Sequence, residues 1–176
     1  MVNKVADLRS LIRDVPDFPK PGIVFKDITP LLGDPQAFAS AIENLVEPYR
    51  EKGIQKVVGI ESRGFLFASA AALQLQAGVV LIRKKGKLPY RKLQTTYDLE
   101  YGQDTLEIHE DALQKGERAL ILDDVLATGG TAKAACDLVE RLGAEITGVS
   151  FLIELKFLNG RSKLPGRPIT SLIEYS

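Results

Sequence analysis

The spacing of apolar residues changes along the chain, and the changes predict a sheet flanked by helices. Short apolar runs predict buried strands over residues 56–60, 77–82, 118–124, 146–155 and 169–175. Apolar residues three or four positions apart predict helices over residues 35–52, 65–76 and 131–142. Strands alternate with helices through the middle of the chain, which is typical of a parallel α/β sheet with right-handed crossovers.

The remaining segments carry weaker patterns. Residues 3–14 have helical spacing, and Pro16 is expected to close that helix. Residues 17–30 are too rich in proline for a central strand and are expected to form a loop of defined shape. Residues 93–109 alternate polar and apolar positions around Gly102, which predicts a β-hairpin or a long excursion from the sheet.

Composition limits the classes of function. A chain of 176 residues is expected to form one domain that buries about 70% of its unfolded surface. Its 23 Lys and Arg residues equal its 23 Asp and Glu residues, which argues against nucleic-acid binding. The single cysteine, Cys136, is expected in the core and fits a reducing compartment. The sequence has no apolar run of membrane-span length and no signal-peptide core. We therefore expect a cytoplasmic protein without membrane contact.

The strand predicted at 118–124 leads into the most informative stretch of the sequence. Asp123 and Asp124 close the strand, and a turn of small residues follows before a helix begins near Thr131. Exposed N–H groups and the helix dipole favour a phosphate at such a turn, whereas the two acids suit sugar hydroxyls or a divalent metal. The alternative is an ordinary strand, turn and helix. The predicted phosphate cradle consists of Ala127, Thr128, Gly129, Gly130 and Thr131.

Two further strands end in polar groups. Glu61, Ser62 and Arg63 follow one strand, and a run of cations that begins at Arg83 follows another. Since parallel strands open on the same edge of a sheet, Arg63, Arg83 and Lys87 are expected to contact a second anionic group there, although a lone arginine can equally form a surface ion pair. The other cations of the run are expected to face solvent: Lys84, Lys85, Arg91 and Lys92.

The aromatic side chains of Phe25 and His109 each have a binding and a structural interpretation. Phe25, between Val24 and Lys26, either pins its loop to the core or offers a stacking surface for a planar ligand. The sole histidine, His109, is expected to be structural or exposed to solvent.

Residues 121–132 resemble the signature of the type I phosphoribosyltransferases, in which apolar residues precede two acids and a Thr-Gly-Gly-Thr turn. Further blocks resemble the adenine-specific members of that family, and they span nearly the whole chain: residues 21–30, 61–67, 83–89 and 97–102. The resemblance implies a central, mostly parallel sheet flanked by helices, in one domain over residues 1–176. Residues 1–34 would form a small N-terminal hood with the base-binding loop, and residues 84–108 a flexible, hairpin-like lid. A homodimer is also implied.

The implied reaction is a glycosyl transfer of purine salvage. The 5-phosphoribosyl group of 5-phospho-α-D-ribose 1-diphosphate would pass to adenine with Mg²⁺, giving AMP and diphosphate. The resemblance assigns Val24, Phe25 and Lys26 to adenine, and Ser62, Arg63, Arg83 and Lys87 to the diphosphate, with Arg63 and Lys87 assisting its departure. It assigns Asp123, Asp124 and the cradle from Ala127 to Thr131 to the ribose and its 5′-phosphate.

The resemblance also implies an acid or base and a backbone feature. Glu100 would exchange a proton near N7 of the purine, and Tyr101 beside it would help to close the site. Magnesium would be held mainly through substrate and water, with Asp123 the one candidate for direct contact. A cis peptide bond is implied between Ser62 and Arg63. Two other readings remain: a transferase for hypoxanthine, guanine, xanthine or orotate, and a regulatory protein that binds the same donor without turnover.

Overall fold

A seven-stranded sheet forms the centre of the computed structural model, which describes residues 5–98 and 102–176. Five neighbouring strands run parallel: β3 (Lys56–Ile60), β4 (Gly78–Lys84), β7 (Arg118–Leu126), β8 (Glu145–Leu155) and β9 (Ile169–Tyr175). Two antiparallel strands, β5 (Lys92–Asp98) and β6 (Gln103–His109), extend the sheet beyond β4. The spatial order of the sheet is β5-β6-β4-β3-β7-β8-β9. The expected parallel α/β architecture is confirmed.

Helices cover both faces of this sheet. They are α1 (Val5–Ser10), α2 (Thr29–Gly33), α3 (Pro35–Val46), α4 (Gly64–Leu75) and α5 (Gly130–Arg141). Asp34 caps the start of α3, because its carboxylate accepts hydrogen bonds from the amides of Gln36 and Ala37, each at 2.9 Å. None of the helices in the described part of the chain is long and apolar enough to cross a membrane.

Successive side chains along each strand point to opposite faces of the sheet, so the core has two layers. On β3, Val57 packs with α3 and α4 on one face, whereas Val58 packs with α5 on the other. Cys136 is fully buried in the second layer, as expected. Its burial raises the pKa of the thiol to about 12.

The N-terminal region differs from the predicted pattern. The helix expected over residues 3–14 ends at Ser10 and is followed by strand β1 (Arg13–Pro16). That strand pairs with β2 (Val24–Asp27) in a separate antiparallel ribbon, so Pro16 ends a strand and not a helix. Pro16 is compatible with this place because a two-stranded ribbon leaves one side of each strand without a ladder partner.

Other boundaries shift by a few residues. The helix predicted over 35–52 stops at Val46 and continues as a 3₁₀ turn over Glu47–Tyr49. Strand β7 does not end at Asp124, because pairing with β8 carries it on to Leu126. The segment around Gly102 is a hairpin, as one of the two expectations had it, and β6 pairs with β4, so the hairpin belongs to the main sheet. Its role as a lid stays a prediction.

Candidate active site

A cleft opens where the strand order reverses between β3 and β7. The chain crosses from β3 to β4 on one side and from β7 to β8 on the other, which is the place where parallel α/β sheets bind ligands. Its volume is about 480 Å³. The predicted residues that line it are Val24, Phe25, Lys26, Ser62, Arg63, Asp123, Asp124, Ala127, Thr128, Gly129, Gly130 and Thr131.

The phosphate cradle connects β7 with α5. Gly129 has φ +80°, a conformation that side chains rarely adopt, and the chain enters α5 at Gly130. Thr131 lies in the first turn, where its hydroxyl donates a hydrogen bond to the hydroxyl of Tyr97 at 3.1 Å. The cradle therefore brings a helix N-terminus and two threonines to one wall of the cleft, a combination that suits a dianionic phosphate.

Two acids precede the cradle in a dry environment. Asp124 is 5% exposed, and its carboxylate accepts a hydrogen bond from the guanidinium of Arg63. Burial, with the neighbouring Asp124 carboxylate as the next cause, raises the pKa of Asp123 well above its usual range. The carboxyl groups of the pair lie beside the cradle, where they can contact the hydroxyl groups of a sugar.

Two of the predicted diphosphate cations, Arg83 and Lys87, share one carboxylate at the rim, that of Glu61. Glu61 accepts from Lys87 Nζ at 2.9 Å and from Arg83 Nη2 at 3.2 Å, and the amide of Lys84 donates to it at 2.9 Å. Burial raises the pKa of Glu61, but these donors outweigh it and lower that pKa to about 2. Arg83 and Lys87 thus stand together without lining the main cleft.

The opposite wall presents an aromatic surface. The guanidinium carbon of Arg63 lies 5.2 Å from the centroid of the Phe25 ring, and Phe18 meets that ring edge-on at 5.2 Å between centroids. Lys26 has its ammonium 2.6 Å from Asp14 and 4.1 Å from the centroid of Tyr175. Phe25 is half-buried and borders the cleft, so it can stack on a planar group.

Several expectations need correction. Lys84 does not simply face solvent, since its ammonium contacts Asp104 and lies 3.3 Å from the Tyr97 hydroxyl. Lys92 pairs at 3.0 Å with Glu107, a carboxylate whose side chain is 2% exposed. Lys84 contacts the hairpin because β6 pairs with β4, whereas Lys92 and Glu107 lie on the two paired strands of the hairpin itself.

The cis peptide bond also lies elsewhere than expected. It joins Glu61 to Ser62, one residue before the predicted Ser62–Arg63 bond. His109 is half-buried and accepts a hydrogen bond from the Tyr90 amide at 3.4 Å, in keeping with a structural role. Glu100 and Tyr101 lie outside the described residues, so their predicted roles are not tested.

Sequence reasoning missed part of the lining. Lys84, Leu126 and Leu155 border the cleft, and Tyr97 contacts the cradle from β5. Lys84 could have been found from its place at the carboxyl end of β4. The two leucines carry no chemical signal, because apolar residues of this kind are expected in any strand.

The donor set of the cleft bears on metal binding. No cluster of three or more His, Cys, Asp or Glu residues that could hold a metal occurs among residues 5–98 and 102–176. Two adjacent carboxylates, one engaged by Arg63, fit a Mg²⁺ ion that takes most of its oxygen ligands from substrate and water.

Comparison with known proteins agrees with this geometry. The family described as "Phosphoribosyl transferase domain" matches residues 31–163. A relative from Acidothermus cellulolyticus, named adenine phosphoribosyltransferase, is 57% identical over 162 residues, or 92% of each chain. The crystal structure of adenine phosphoribosyltransferase from Rhodothermus marinus is 55% identical with a TM-score of 0.94, covering 97% of this chain and 98% of that one.

A further solved structure was obtained with ligands. The adenine phosphoribosyltransferase of Saccharomyces cerevisiae, complexed with adenine and D-2,5-dideoxy-2,5-imino-altritol 1,6-bisphosphate, is 41% identical with a TM-score of 0.92. The alignment covers 98% of this chain and 99% of the yeast chain.

Fold and cleft together define a phosphoribosyl-transferring α/β protein, whose cleft is lined by a helix N-terminus, two acids and an aromatic wall. The similarity extends over almost the entire chain and exceeds half of all positions in several relatives. The chain belongs to the adenine phosphoribosyltransferases, within the larger family of phosphoribosyl transferase domains.

The ion pairs of Glu61 predict a pH dependence of stability. Because the folded-state pKa lies at about 2 and the usual value is 4.5, the unfolded chain binds more protons between these values. The stabilisation is complete above pH 4.5 and is lost as the pH falls toward about 2. Urea denaturation should show a steeper decline over this window in the unmodified protein than in Glu61→Gln. Parallel declines in the two proteins would contradict the assignment.

Proposed function

We propose that this protein transfers the 5-phosphoribosyl group of 5-phospho-α-D-ribose 1-diphosphate to adenine, forming AMP and diphosphate in purine salvage. One observation carries the proposal: a single cleft has an aromatic wall at Phe25 and a phosphate cradle from Ala127 to Thr131, with two acids along it. The names of relatives more than 50% identical over nearly the whole chain support the same reaction.

Adenine would occupy the wall formed by β2. Phe25 offers its ring for stacking, and the backbone groups of Val24 and Lys26 would read the polar edge of the base. The Lys26 ammonium is engaged by Asp14 and faces the Tyr175 ring, so its side chain serves to hold the base-binding ribbon. Arg63, packed against Phe25, links this wall to the acids.

The donor would lie along the cleft from the cradle to the rim. Its 5′-phosphate would accept hydrogen bonds from the cradle amides and from Thr128 and Thr131. Asp123 and Asp124 would contact the ribose hydroxyls. At the rim, Arg83 and Lys87 would exchange Glu61 for the diphosphate, joined by Ser62 and Arg63.

The departure of the diphosphate creates negative charge that the site must stabilise. The bond from ribose C1 to the diphosphate oxygen breaks, the leaving group keeps the bonding electrons, and a bond from adenine N9 to C1 forms. Arg63 and Lys87 would stabilise the negative charge that grows on the diphosphate. Bound Mg²⁺ would supply further stabilisation of that charge, and Asp123 is the residue we propose for any direct contact with it.

Proton transfer and shielding are assigned to the hairpin. Attack by N9 requires adenine to lose its N9 proton, and Glu100 would exchange a proton near N7, with Tyr101 helping to close the site. Residues 84–108 would act as a lid that keeps water from the electron-poor ribose. Among the described residues of this segment, Tyr97 supports the idea because its hydroxyl bonds to Thr131 in the cradle.

Two other functions are disfavoured. A 6-oxopurine transferase would need an edge complementary to a carbonyl, and its relatives would carry other names than those found here. A regulatory protein that binds the same donor and controls nucleic acid without catalysis is disfavoured by the balance of 23 basic and 23 acidic residues.

A homodimer and a cytoplasmic location complete the proposal. Exposed apolar side chains lie on α4 and β4, as a surface that a second copy would cover: Leu66, Leu73, Val79 and Leu81. The single cysteine remains the support for a reducing compartment.

The reaction is tested by measuring diphosphate release from the donor with Mg²⁺ and each nucleobase in turn. Adenine should give the highest kcat/KM, because the base-binding wall is the part of the cleft that distinguishes purines. Faster turnover with guanine or hypoxanthine would refute the adenine assignment. Binding of the donor without turnover of any base would favour the regulatory protein.

The cradle and the acids should bind the donor and not the free base. Thr131→Ala or Asp124→Ala should raise the Kd of the donor about 10-fold or more, because hydrogen bonds to charged groups contribute about 1.5–3 kcal/mol. Titration calorimetry measures the Kd of the donor and the Kd of adenine separately for each variant. Lys133→Ala is the control on the same helix, since Lys133 is exposed and pairs with Asp137. Equal weakening of donor and adenine would contradict the proposed division.

Glu100 should affect the chemical step. Glu100→Gln should lower kcat by about 10²-fold while the Kd of the donor stays the same, because the amide cannot transfer the proton. Single-turnover kinetics measure the step directly, and Glu110→Gln, at an exposed position directly after β6, is the control. An unchanged rate would remove Glu100 from the chemistry.

A further inference from the structure

The phosphate cradle touches a segment that follows β8. Residues 156–163 form two short 3₁₀ turns, Lys156–Leu158 and Gly160–Lys163, and Gly160 is buried. A Cβ atom at position 160 would overlap the carbonyl oxygen of Ala127 and would lie 3.1 Å from the amide nitrogen of Gly129. A Cβ atom at position 129 would in turn overlap the carbonyl of Gly160. The two backbones therefore cross with no room for a side chain on either.

An ion pair between the half-exposed Arg161 and a buried carboxylate holds this segment in place. The Glu154 side chain is 4% exposed and accepts from Arg161 at both carboxylate oxygens, each at 2.7 Å. The hydroxyl of Ser171 on β9 donates to the same carboxylate at 2.7 Å. Two parallel hydrogen bonds to a planar guanidinium fix its orientation as well as its distance. Arg161 directly follows Gly160, so the ion pair fixes the residue that touches the cradle.

We propose that Glu154 and Arg161 are positioning residues for the 5′-phosphate, and that they act through Gly160, which supports the Ala127–Gly129 backbone from behind. The proposal rests on the phosphoribosyl transfer proposed above. Glu154 lies within β8, beside Leu155, which borders the cleft. The ion pair therefore connects the sheet to the outer side of the cradle without touching the phosphate.

Gly160→Ala is the most direct test. The added methyl group should displace the cradle and raise the KM of the donor by about 10- to 100-fold, since a shift of about 1 Å in a binding group can cost a factor of about 10². The KM of adenine should stay unchanged, because adenine contacts the opposite wall. Gly33→Ala is the matched control, since a Cβ there meets nothing within 4 Å.

Arg161 is tested with a graded pair of variants. Arg161→Met should also raise the KM of the donor selectively, and Arg161→Lys should fall between it and the unmodified protein, because an ammonium cannot make both parallel hydrogen bonds. Arg167→Met is the control: it removes another Arg–Glu pair, to Glu140 at 2.8 Å, that is not part of this connection. Titration calorimetry with ribose 5-phosphate measures the Kd of a ligand that would bind the cradle and cannot undergo the transfer reaction.

The outcomes separate the two proposals. An unmodified protein that releases no diphosphate with adenine would refute the proposed function. An active protein whose Gly160 and Arg161 variants bind donor and ribose 5-phosphate normally, or lose donor and adenine binding equally, would refute the positioning role. If Gly160→Ala does not fold, the Arg161 series decides the question alone.

Discussion

The contact between Arg63 and Asp124 joins the ends of two adjacent parallel strands, and the cleft depends on it. Arg63 follows β3 and Asp124 lies on β7, so the pairing of these strands brings a cation and a carboxylate together at the point where the strand order reverses. The same guanidinium packs on Phe25 from the N-terminal ribbon. One side chain thereby connects Asp124 with the aromatic wall of the cleft, although the two are far apart in sequence.

Charge neutralisation is a general property of this site. Arg63 is paired with Asp124, Arg83 and Lys87 share Glu61, and Lys84 contacts Asp104. These carboxylates of the chain thus hold the cations in fixed positions and partly neutralise their charge in the absence of a bound anion. An anion that binds Arg83 and Lys87 would have to replace Glu61 as their partner, and breaking the existing ion pairs would lower its net affinity. The benefit is a set of donors that is already oriented.

Much of this arrangement could be predicted from the sequence, because local periodicity reports the strands and topology places their ends on one edge. The structure brings the residues predicted for the cradle, the two acids and Arg63 to one cleft, and their roles stay predictions. The inward turn of Lys84 and Lys92 was not predicted, because their partners Asp104 and Glu107 lie on β6, and periodicity does not give the pairing of β6 with β4 and β5. The contact of Gly160 with the cradle was also missed. Gly160 lies in a turn-rich segment without periodicity. A side chain is excluded at this position by the neighbouring backbone, and the sequence does not show which backbone lies there.

Cys136 has a practical consequence. It is the only cysteine of the chain, it is fully buried among the side chains of α5 and the sheet, and its pKa is raised to about 12. Because the thiolate is the reactive species, this thiol is protected from alkylating reagents in the folded protein. A cysteine introduced at an exposed position would then be the one site that accepts a maleimide dye, so fluorescent reporters could be attached without first replacing a core residue.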